Sequence, residues 1–302
     1  MAQFKRIKKN INGILLLDKP LGISSNQALQ KAKWQYHAAK AGHTGSLDPL
    51  ASGLLPICFG EATKFSHYLL DADKTYEASI RLGTITSTGD AEGEVIASKE
   101  FDVTDEQVDE ILKSFLGEIE QVPPMYSALK HKGKALYEYA RKGMEIERES
   151  RKVKIFSLIK RNFKNGLLEV SVSCSKGTYI RTLAEDIGNK LGCGAHLASL
   201  RRTKTAHFSL NDAVTLEQLE NMPEMDLQAI LLPVDSSIVK LPTIVINDKC
   251  KFLFQRGQEI DYSGLVTDEK VRIYSENGDF LGLGEHTSNG KIVPKRLIMQ
   301  KD

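Results

Sequence analysis

The stretch at residues 42–55 combines a group that could do chemistry with residues that break regular structure. It reads GHTGSLDPLASGLL, and its three glycines and one proline interrupt any regular helix or strand. The apolar residues 54–57 predict a buried anchor for this loop. Asp48 is its one carboxylate, and Pro49 favours an extended backbone at Asp48. The pattern therefore predicts a loop, held in the core, that aims a single carboxylate.

Other chemistries fit the residues less well. A P-loop needs a lysine after its second glycine, whereas the glycine loop has none and places a carboxylate where phosphate would lie. The pentapeptide DADKT at residues 71–75 has the spacing of haloacid dehalogenase-type phosphatases, without the further acidic magnesium cluster that they need. The seven histidines form no pair at ligand spacing with an acidic partner, and the Gly-x-Ser-x-Gly elbow of serine hydrolases is absent from the sequence. We therefore expect neither a phosphate-binding loop nor a metal site.

Periodicity predicts the elements that would position the remaining polar candidates. Residues 75–82 alternate between apolar and polar, which predicts a half-buried strand with Tyr76 on its apolar face. Residues 153–174 read as two paired strands around an Asn-Gly turn. The second strand leads into an amphipathic helix, so Tyr179 and Arg181 are expected at a strand-to-helix corner.

Further elements follow from the same patterns. Residues 84–93 are predicted to be a polar loop with too little apolar content to pack. The other predicted elements are a strand at 14–17, a helix beginning at Ser24 or Ser25 and reaching Tyr36, helices at 61–70, 105–116 and 134–142, and a strand-like run at 197–208.

Composition bounds the class of protein. The chain has 302 residues with 41% hydrophobic and 26% charged content, which predicts one large and one small globular domain. No run approaches the roughly 18 apolar residues of a spanning helix. Residues 1–10 are basic and lack the apolar segment of a secretion signal, so we expect a cytoplasmic protein. The four cysteines form no CxxC pair and are expected to be reduced core residues.

Charge is distributed unevenly although the net charge is only +2. Residues 130–154 contain nine Lys or Arg against four Glu. This predicts an exposed insertion at about 124–152 that contacts a partner, with solvated helix faces as the alternative. Near residue 242 the sequence changes to short strands and glycine turns, so we predict a large domain at 1–242 and a small β-rich domain at 243–302.

Several motifs together closely resemble those of the bacterial tRNA pseudouridine-55 synthases. The resemblance implies an α+β fold, with a mixed and mainly antiparallel sheet flanked by helices, followed by a small PUA-like RNA-binding domain. The match covers at least residues 11–210 in the family's order. The matching segments are DKPxGxSS within 11–25, GHTGxLDP within 41–64, residues 74–93 and 124–148, CSKGTYIR at 174–181, and residues 192–202.

The resemblance also implies a reaction. Uridine-55 in the T loop of tRNA is flipped out and isomerised to pseudouridine, without metal or cofactor, as the C1′–N1 bond breaks and a C1′–C5 bond forms. Asp48 matches the family's essential aspartate. Whether it attacks C1′, adds to C6 or removes a ribose proton stays open. The implied partner is the tRNA T stem-loop, bound by a monomer that needs no protein partner and no membrane.

Roles for other residues follow from the resemblance together with their chemistry. Arg181 would pair with Asp48 and orient it, the alternative being a structural salt bridge. Tyr76 would stack on the uracil and accept the C5 proton, or be a core tyrosine. Tyr179 and Leu200 correspond to positions in the substrate pocket.

The remaining candidates concern RNA contacts. His43 would contact the RNA where the base has left, or cap a local structure. Lys19 would buttress the catalytic loop, Asp90 would contact RNA from a mobile loop, and the basic insertion would clamp phosphates. A different class of function is an RNA-binding, tRNA-folding protein in which isomerisation is secondary or lost.

Overall fold

The computed structural model describes residues 8–264 and 269–299. Residues 1–7 of the predicted large domain, and residues 265–268 and 300–302 of the predicted small domain, therefore lie outside the described residues. Within them the strands are β1 Gly13–Lys19, β2 Ala41–His43, β3 Ala51–Phe59, β4 Lys74–Leu82, β5 Thr84–Thr86, β6 Val95–Ser98, β7 Gly117–Gln121, β8 Lys130–His131, β9 Lys134–Ala135, β10 Arg151–Lys164, β11 Leu167–Cys174, β12 Ala195–Thr205, β13 Phe208–Ser209, β14 Val214–Thr215, β15 Thr243–Ile246, β16 Ile260–Asp261, β17 Lys270–Ser275, β18 Phe280–Thr287 and β19 Lys291–Leu297. The α-helices are α1 Ser25–Gln35, α2 Ser66–Leu70, α3 Asp105–Lys113, α4 Leu136–Ala140, α5 Ile180–Lys190, α6 Leu216–Asn221, α7 Glu224–Ala229 and α8 Asp248–Gln255.

A large sheet carries the candidate residues. Its main strand order is β14-β1-β3-β12-β4-β11-β10-β7, with β2 added to β3 and β13 to β12. The β1–β14 and β3–β12 pairs are parallel, and the other pairs are antiparallel. The predicted mixed, mainly antiparallel sheet is confirmed.

Strand β4 shows why the sequence folds this way. Its residues Tyr76, Ala78, Ile80 and Leu82 are all buried, as the alternation predicts. They form one core with the inward residues of β11 and β12 and with the apolar faces of α3 and α5. A second core packs β1 and β3 against α1 and α6. Apolar side chains that recur every second residue in the strands thus pack against apolar side chains that recur every third or fourth residue in the helices.

A smaller five-stranded sheet follows, in the order β15-β17-β18-β19-β16. Its core includes Phe254 of α8 and Ile273 of β17. This C-terminal β unit is PUA-like, as the motifs implied. It packs against residues 60–65, which follow β3 of the large sheet. The rings of Phe65 and Phe280 have their centroids 5.7 Å apart, and Lys64 Nζ donates to the Leu297 carbonyl at 2.8 Å.

Two predicted helices are shorter than expected. The stretch at 61–70 is a 3-10 turn at Gly60–Phe65 followed by α2, and the helix expected at 134–142 is only α4, preceded by the β8–β9 hairpin. Both stretches are short, so local contacts rather than a long apolar stripe determine where they end. No helix among the described residues is both long enough and apolar enough to cross a membrane.

The prediction for residues 84–93 was wrong. Instead of an unpacked loop, this segment contains β5, which pairs with β6, and Thr86 and Asp90 are buried. Thr86 donates its hydroxyl to the Asp90 carbonyl at 2.7 Å. Polar residues could be buried here because their partners lie within the same loop and on neighbouring elements.

Arg272 joins the segment before the small sheet to β17. Its Nη1 lies 3.0 Å from Asp235 Oδ2, and its Nε donates to the Leu241 carbonyl at 3.1 Å. The Tyr274 hydroxyl also donates to Asp235, and burial together with this bond raises the pKa of Tyr274 to about 12. One buried carboxylate therefore has two donors from the small sheet.

We expect Asp235→Ala to destabilise the fold by about 3 kcal/mol, because the Arg272 charge and the Tyr274 hydroxyl would lose their shared acceptor. Urea unfolding, followed by circular dichroism, measures this change. The control is Glu259→Gln, which removes an exposed pair with Lys291 and should leave the unfolding midpoint unchanged. Equal midpoints for the two variants would contradict the prediction.

Candidate active site

The loop that carries Asp48 lies between β2 and β3, at residues 44–50. Ser25, the first residue of α1, accepts from the Leu47 N–H at 2.7 Å and donates to the Leu47 carbonyl at 3.0 Å. The Gly22 N–H donates to the Pro49 carbonyl at 2.9 Å. The predicted anchor is confirmed, since residues 54, 55 and 57 are fully buried. Strands β2 and β3 extend further into the glycine-rich stretch than the sequence indicated, which leaves a short loop fixed at both ends.

The surroundings of Gly53 show why a glycine is needed at this position of the motif. Gly53 has a φ of +101°, and a Cβ atom there would lie 2.3 Å from the carbonyl oxygen of Arg202 on the neighbouring strand β12. Only glycine allows this conformation and this approach without a shift of the backbone. The close contact sets the position of β3, and with it the end of the Asp48 loop.

Asp48 and Arg181 meet as the sequence predicted. Oδ2 of Asp48 lies 3.0 Å from Nη2 of Arg181, and the Asp48 side chain is 49% exposed whereas that of Arg181 is 7% exposed. Arg181 lies in the first turn of α5, and Tyr179 is the N-cap of that helix, which confirms the predicted corner. The guanidinium also donates to the Tyr126 carbonyl at 2.6 Å. It thereby presents Asp48 to solvent while remaining buried itself.

Asp90 is a second carboxylate beside Arg181. Its Oδ2 lies 3.6 Å from Nε of Arg181, and its side chain is 5% exposed. Asp90 also accepts from the Thr88 hydroxyl and, at 3.1 Å, from the Glu92 N–H. Asp90 thus lies buried and bonded at the edge of the cleft that Asp48 and Arg181 line, and its contact with RNA stays a prediction.

A cleft of about 570 Å³ opens over these groups. It brings together the predicted residues His43, Asp48 and Arg181, and it is also lined by Tyr137 and Arg141 of the basic insertion. The cleft therefore runs from the carboxylate to the insertion.

Three predicted site residues do not line this cleft. Tyr76 is 9% exposed and packs in the core that also contains Leu47. Leu200 is half-buried between Ala51 of β3 and Ala78 of β4. The backbone of Tyr179 exchanges hydrogen bonds with the Gln121 side chain, and its N–H donates at 3.0 Å. These residues lie behind or beside the loop that carries Asp48.

Burial controls the titration of the groups around the loop. It lowers the pKa of Lys19, which is fully buried, to about 8, although nearby Asp48 opposes the shift. Burial, assisted by the Arg202 charge, lowers the pKa of His43, so its imidazole is neutral near pH 7. Burial raises the pKa of Tyr76 and of Tyr179. A neutral imidazole and two neutral phenols suit contact with bases more than with phosphates.

Some residues that build the site were missed as such. Ser25 was predicted only as a helix start, and Arg202 only as one of several basic residues in its strand. Their signals are present, since Ser25 ends the DKPxGxSS motif and Arg202 is a charge at an inward position of β12. Within residues 8–264 and 269–299, no three His, Cys, Asp or Glu side chains are grouped so that they could hold a metal ion.

Comparison with known proteins gives consecutive family matches along the chain. Residues 33–180 match the TruB family pseudouridylate synthase (N terminal domain), residues 181–239 the tRNA pseudouridylate synthase B C-terminal domain, and residues 242–298 the family described as pseudouridine synthase II TruB, C-terminal. The tRNA pseudouridine synthase B of Methylobacillus flagellatus is 60% identical over 298 residues, which are 99% of both chains. That of Pseudomonas aeruginosa is 51% identical over 303 residues, again 99% of both.

A solved structure shares the fold. In the crystal structure of the archaeal box H/ACA sRNP Nop10-Cbf5 complex, one chain superposes with a TM-score of 0.72 at 25% identity, over 97% of this chain and 88% of that one. Together these matches confirm the resemblance read from the motifs and the fold class that it implied.

Lys19 generates a pH-dependent prediction. Its Nζ donates to the carbonyls of Pro20 and Ile23 at 2.8 and 2.7 Å. Since burial lowers its folded pKa from 10.5 to about 8, the unfolded chain binds more protons between these values, and stability rises with pH in that window. From pH 8 to 9.5 we expect the wild type to gain about 1.5 kcal/mol over Lys19→Met in the free energy of unfolding.

Urea unfolding at both pH values measures this gain. The control, Lys113→Met, removes an exposed lysine and should change with pH in parallel with the wild type. If the free energy of unfolding of the wild type minus that of Lys19→Met stayed constant or fell from pH 8 to 9.5, the prediction would be contradicted.

Proposed function

This chain belongs to the TruB family of pseudouridylate synthases, and on that premise we propose that it isomerises uridine-55 in the T loop of tRNA to pseudouridine. The observation that carries the proposal is the Asp48–Arg181 pair, with its O–N distance of 3.0 Å, at a cleft that also reaches the basic insertion. One carboxylate is half exposed to an incoming substrate and is oriented by a buried guanidinium. This arrangement suits a reaction in which a single carboxylate acts on a flipped nucleotide.

In the proposed reaction the uridine leaves its stack and enters the cleft. Asp48 promotes cleavage of the C1′–N1 bond, the base turns, and C5 joins C1′. The proton on C5 leaves and N1 gains one, so the product is an isomer of the substrate and no cofactor is consumed. Whether Asp48 attacks C1′, adds to C6 or removes a ribose proton is left open by this assignment.

Arg181 and Tyr76 are assigned supporting roles in the proposal. Arg181 keeps Asp48 in one orientation, which lowers the entropic cost of reaching the reactive geometry. Tyr76 lies close enough to Asp48 for the carboxylate charge to raise the pKa of its phenol further. The proposal assigns Tyr76 to stack on the base, once the base has entered, and to accept the C5 proton after giving up its own hydroxyl proton.

The other assignments concern recognition of the RNA. His43 lines the cleft, and in the proposal its ring meets the RNA at the position that the base leaves. Tyr179 and Leu200 would close the pocket beside the base. We further propose a catalytic domain at residues 1–242 with an RNA-clamping insertion at 124–152, and an RNA-binding domain at 243–302.

The proposed substrate determines the expected setting of the enzyme. We propose that it meets the T stem-loop of tRNA in the cytoplasm as a monomer without an obligatory protein partner. A role in tRNA folding through the same surface would not require Asp48, which is the basis for the experiment that separates the two functions.

We expect Asp48→Asn to lower the rate of isomerisation by at least about 1,000-fold, because the amide cannot act as nucleophile or base. Tritium release from T stem-loop RNA that contains 5-tritiated uridine measures the rate. Asp71→Asn is the matched control, since Asp71 is an exposed carboxylate paired with Lys176, and it should keep the wild-type rate. An inactive wild type would overturn the proposed function, and full activity of Asp48→Asn would overturn the role of Asp48.

Arg141 tests the clamp. It is exposed, lines the cleft and lies over the ring of Tyr137, with Cζ 5.3 Å from the ring centroid. If it binds a phosphate, Arg141→Ala should weaken binding of the T stem-loop about tenfold in 0.1 M salt and reduce the slope of log K against log salt by about 1.

Filter binding across a salt series measures both quantities. Lys113→Ala removes the same charge from the C-terminal turn of α3 and should change neither. A salt slope that is the same for Arg141→Ala and the wild type would show that the insertion does not contact phosphate at this residue.

A further inference from the structure

Arg202 is a buried cation that the proposed function leaves without a role. It lies on β12, is 1% exposed and is among the largest fully buried side chains of the protein. Its Nε donates to the Leu54 carbonyl of β3 at 2.7 Å, and its Nη2 donates to the Gly45 carbonyl at 3.1 Å. Gly45 belongs to the loop that carries Asp48, so this guanidinium holds the catalytic loop from below.

The same side chain faces Tyr76. Arg202 and Tyr76 are opposite each other in the antiparallel pairing of β12 with β4, so both side chains lie on the same face of the sheet. The guanidinium is near enough to favour the ionised form of the Tyr76 phenol. A guanidinium offers five N–H donors in a rigid plane, and a phenol oxygen can accept one of them. Arg202 therefore joins the loop of Asp48 to the ring of Tyr76 through one rigid group.

No carboxylate among the described residues forms an ion pair with Arg202, in contrast to its neighbour. Arg201 points to the other side of the strand, where it lies 2.6 Å from Asp18 Oδ2 and donates to the Ser52 hydroxyl at 3.1 Å. A buried charge without a counter-ion is costly, and an apolar residue of similar size often serves stability as well or better. Stability alone thus gives little reason for a cation at position 202.

The Arg202 charge also acts on the groups around it. After burial it is a cause of the lowered pKa of His43, and it contributes to the lowered pKa of Lys74 and of Lys19, each about 8. The nearby guanidinium also opposes the rise that burial causes in the pKa of the Tyr76 phenol. The guanidinium charge thus influences the protonation of His43 and of Tyr76.

We propose that Arg202 is a positioning residue for the isomerisation, which holds the Gly45 carbonyl and the Tyr76 hydroxyl at a fixed separation so that Asp48 and Tyr76 act on the same base. This inference rests on the proposed function. A lysine would keep the charge, but its single ammonium lacks the planar fork that reaches the carbonyls and the phenol together. Loss of the fork lets the loop and the ring move independently.

The test compares Arg202→Lys and Arg202→Met with Arg201→Lys and Arg201→Met as matched controls on the same strand. Single-turnover tritium release from 5-tritiated T stem-loop RNA, measured over a range of enzyme concentrations, separates binding from the rate constant of the bound complex. We expect both Arg202 variants to lose about 100-fold in this rate constant, because displacements of about 1 Å have effects of that size. Half-saturating concentrations should change less than threefold, and the Arg201 variants should stay within threefold of wild type in both.

A double-mutant cycle tests whether Arg202 acts through Tyr76. The rate loss caused by Arg202→Lys should be at least tenfold smaller in a Tyr76→Phe background than in the wild type, because the phenol that it positions is already absent. Thermal melting of each variant reports folding. If Arg202→Met fails to fold, Arg202→Lys, which keeps the charge, decides the outcome.

The outcomes separate the two proposals. An active wild type together with unchanged rate constants for the Arg202 variants would overturn the positioning role and leave the proposed function intact. So would equal losses for the Arg201 and Arg202 variants, additive losses in the double mutant, or a loss that appears entirely in binding. An inactive wild type would overturn both proposals.

Discussion

The pairing of Arg181 with Asp48 is the interaction on which the site depends. The two residues lie 133 positions apart in the sequence, and their side chains meet only because β3, β4, β11 and β12 are neighbours and α5 begins beside the catalytic loop. A buried guanidinium needs its donors satisfied, and Arg181 meets that need with Asp48, Asp90 and backbone carbonyls. The geometry that orients the carboxylate is therefore also the geometry that makes the buried charge tolerable.

Buried cations are a theme of this site. Lys19, Lys74 and Arg202 are each at least 90% buried, and each donates to backbone carbonyls at the edges of strands or turns. Burial lowers the pKa of Lys19 and of Lys74 from 10.5 to about 8. Positive charge near a cleft that is proposed to receive a polyanion lowers the cost of bringing phosphates close, while backbone bonds keep each cation in place. The cluster thus connects the stability of the fold to its electrostatics.

The small C-terminal sheet is attached by polar contacts as well as by rings. Glu61 accepts from Lys64 and from the Met299 N–H at 2.8 Å, and Asp235 binds two donors from β17. Directional bonds of this kind fix the orientation of one sheet against the other more strictly than apolar packing alone. This matters for a protein proposed to hold a folded RNA across both sheets, because the two surfaces must keep their separation.

The sequence by itself determined the family, the sheet class, the loop that presents Asp48 and the corner at Tyr179 and Arg181. These follow from local patterns, since the alternation in β4, the Asn-Gly turn before β11 and the glycine motif are each contained in a few consecutive residues.

Only the tertiary structure decided the burial of Asp90, the short extent of α4, the placement of Tyr76 behind the loop and the surroundings of Arg202. Each of these depends on partners that are distant in sequence or on how a polar group is satisfied after the strands have paired, as for Arg202 between Gly45 and Tyr76. Local periodicity carries no information on such partners, because the cost of burying a charge depends on what surrounds it in the folded chain.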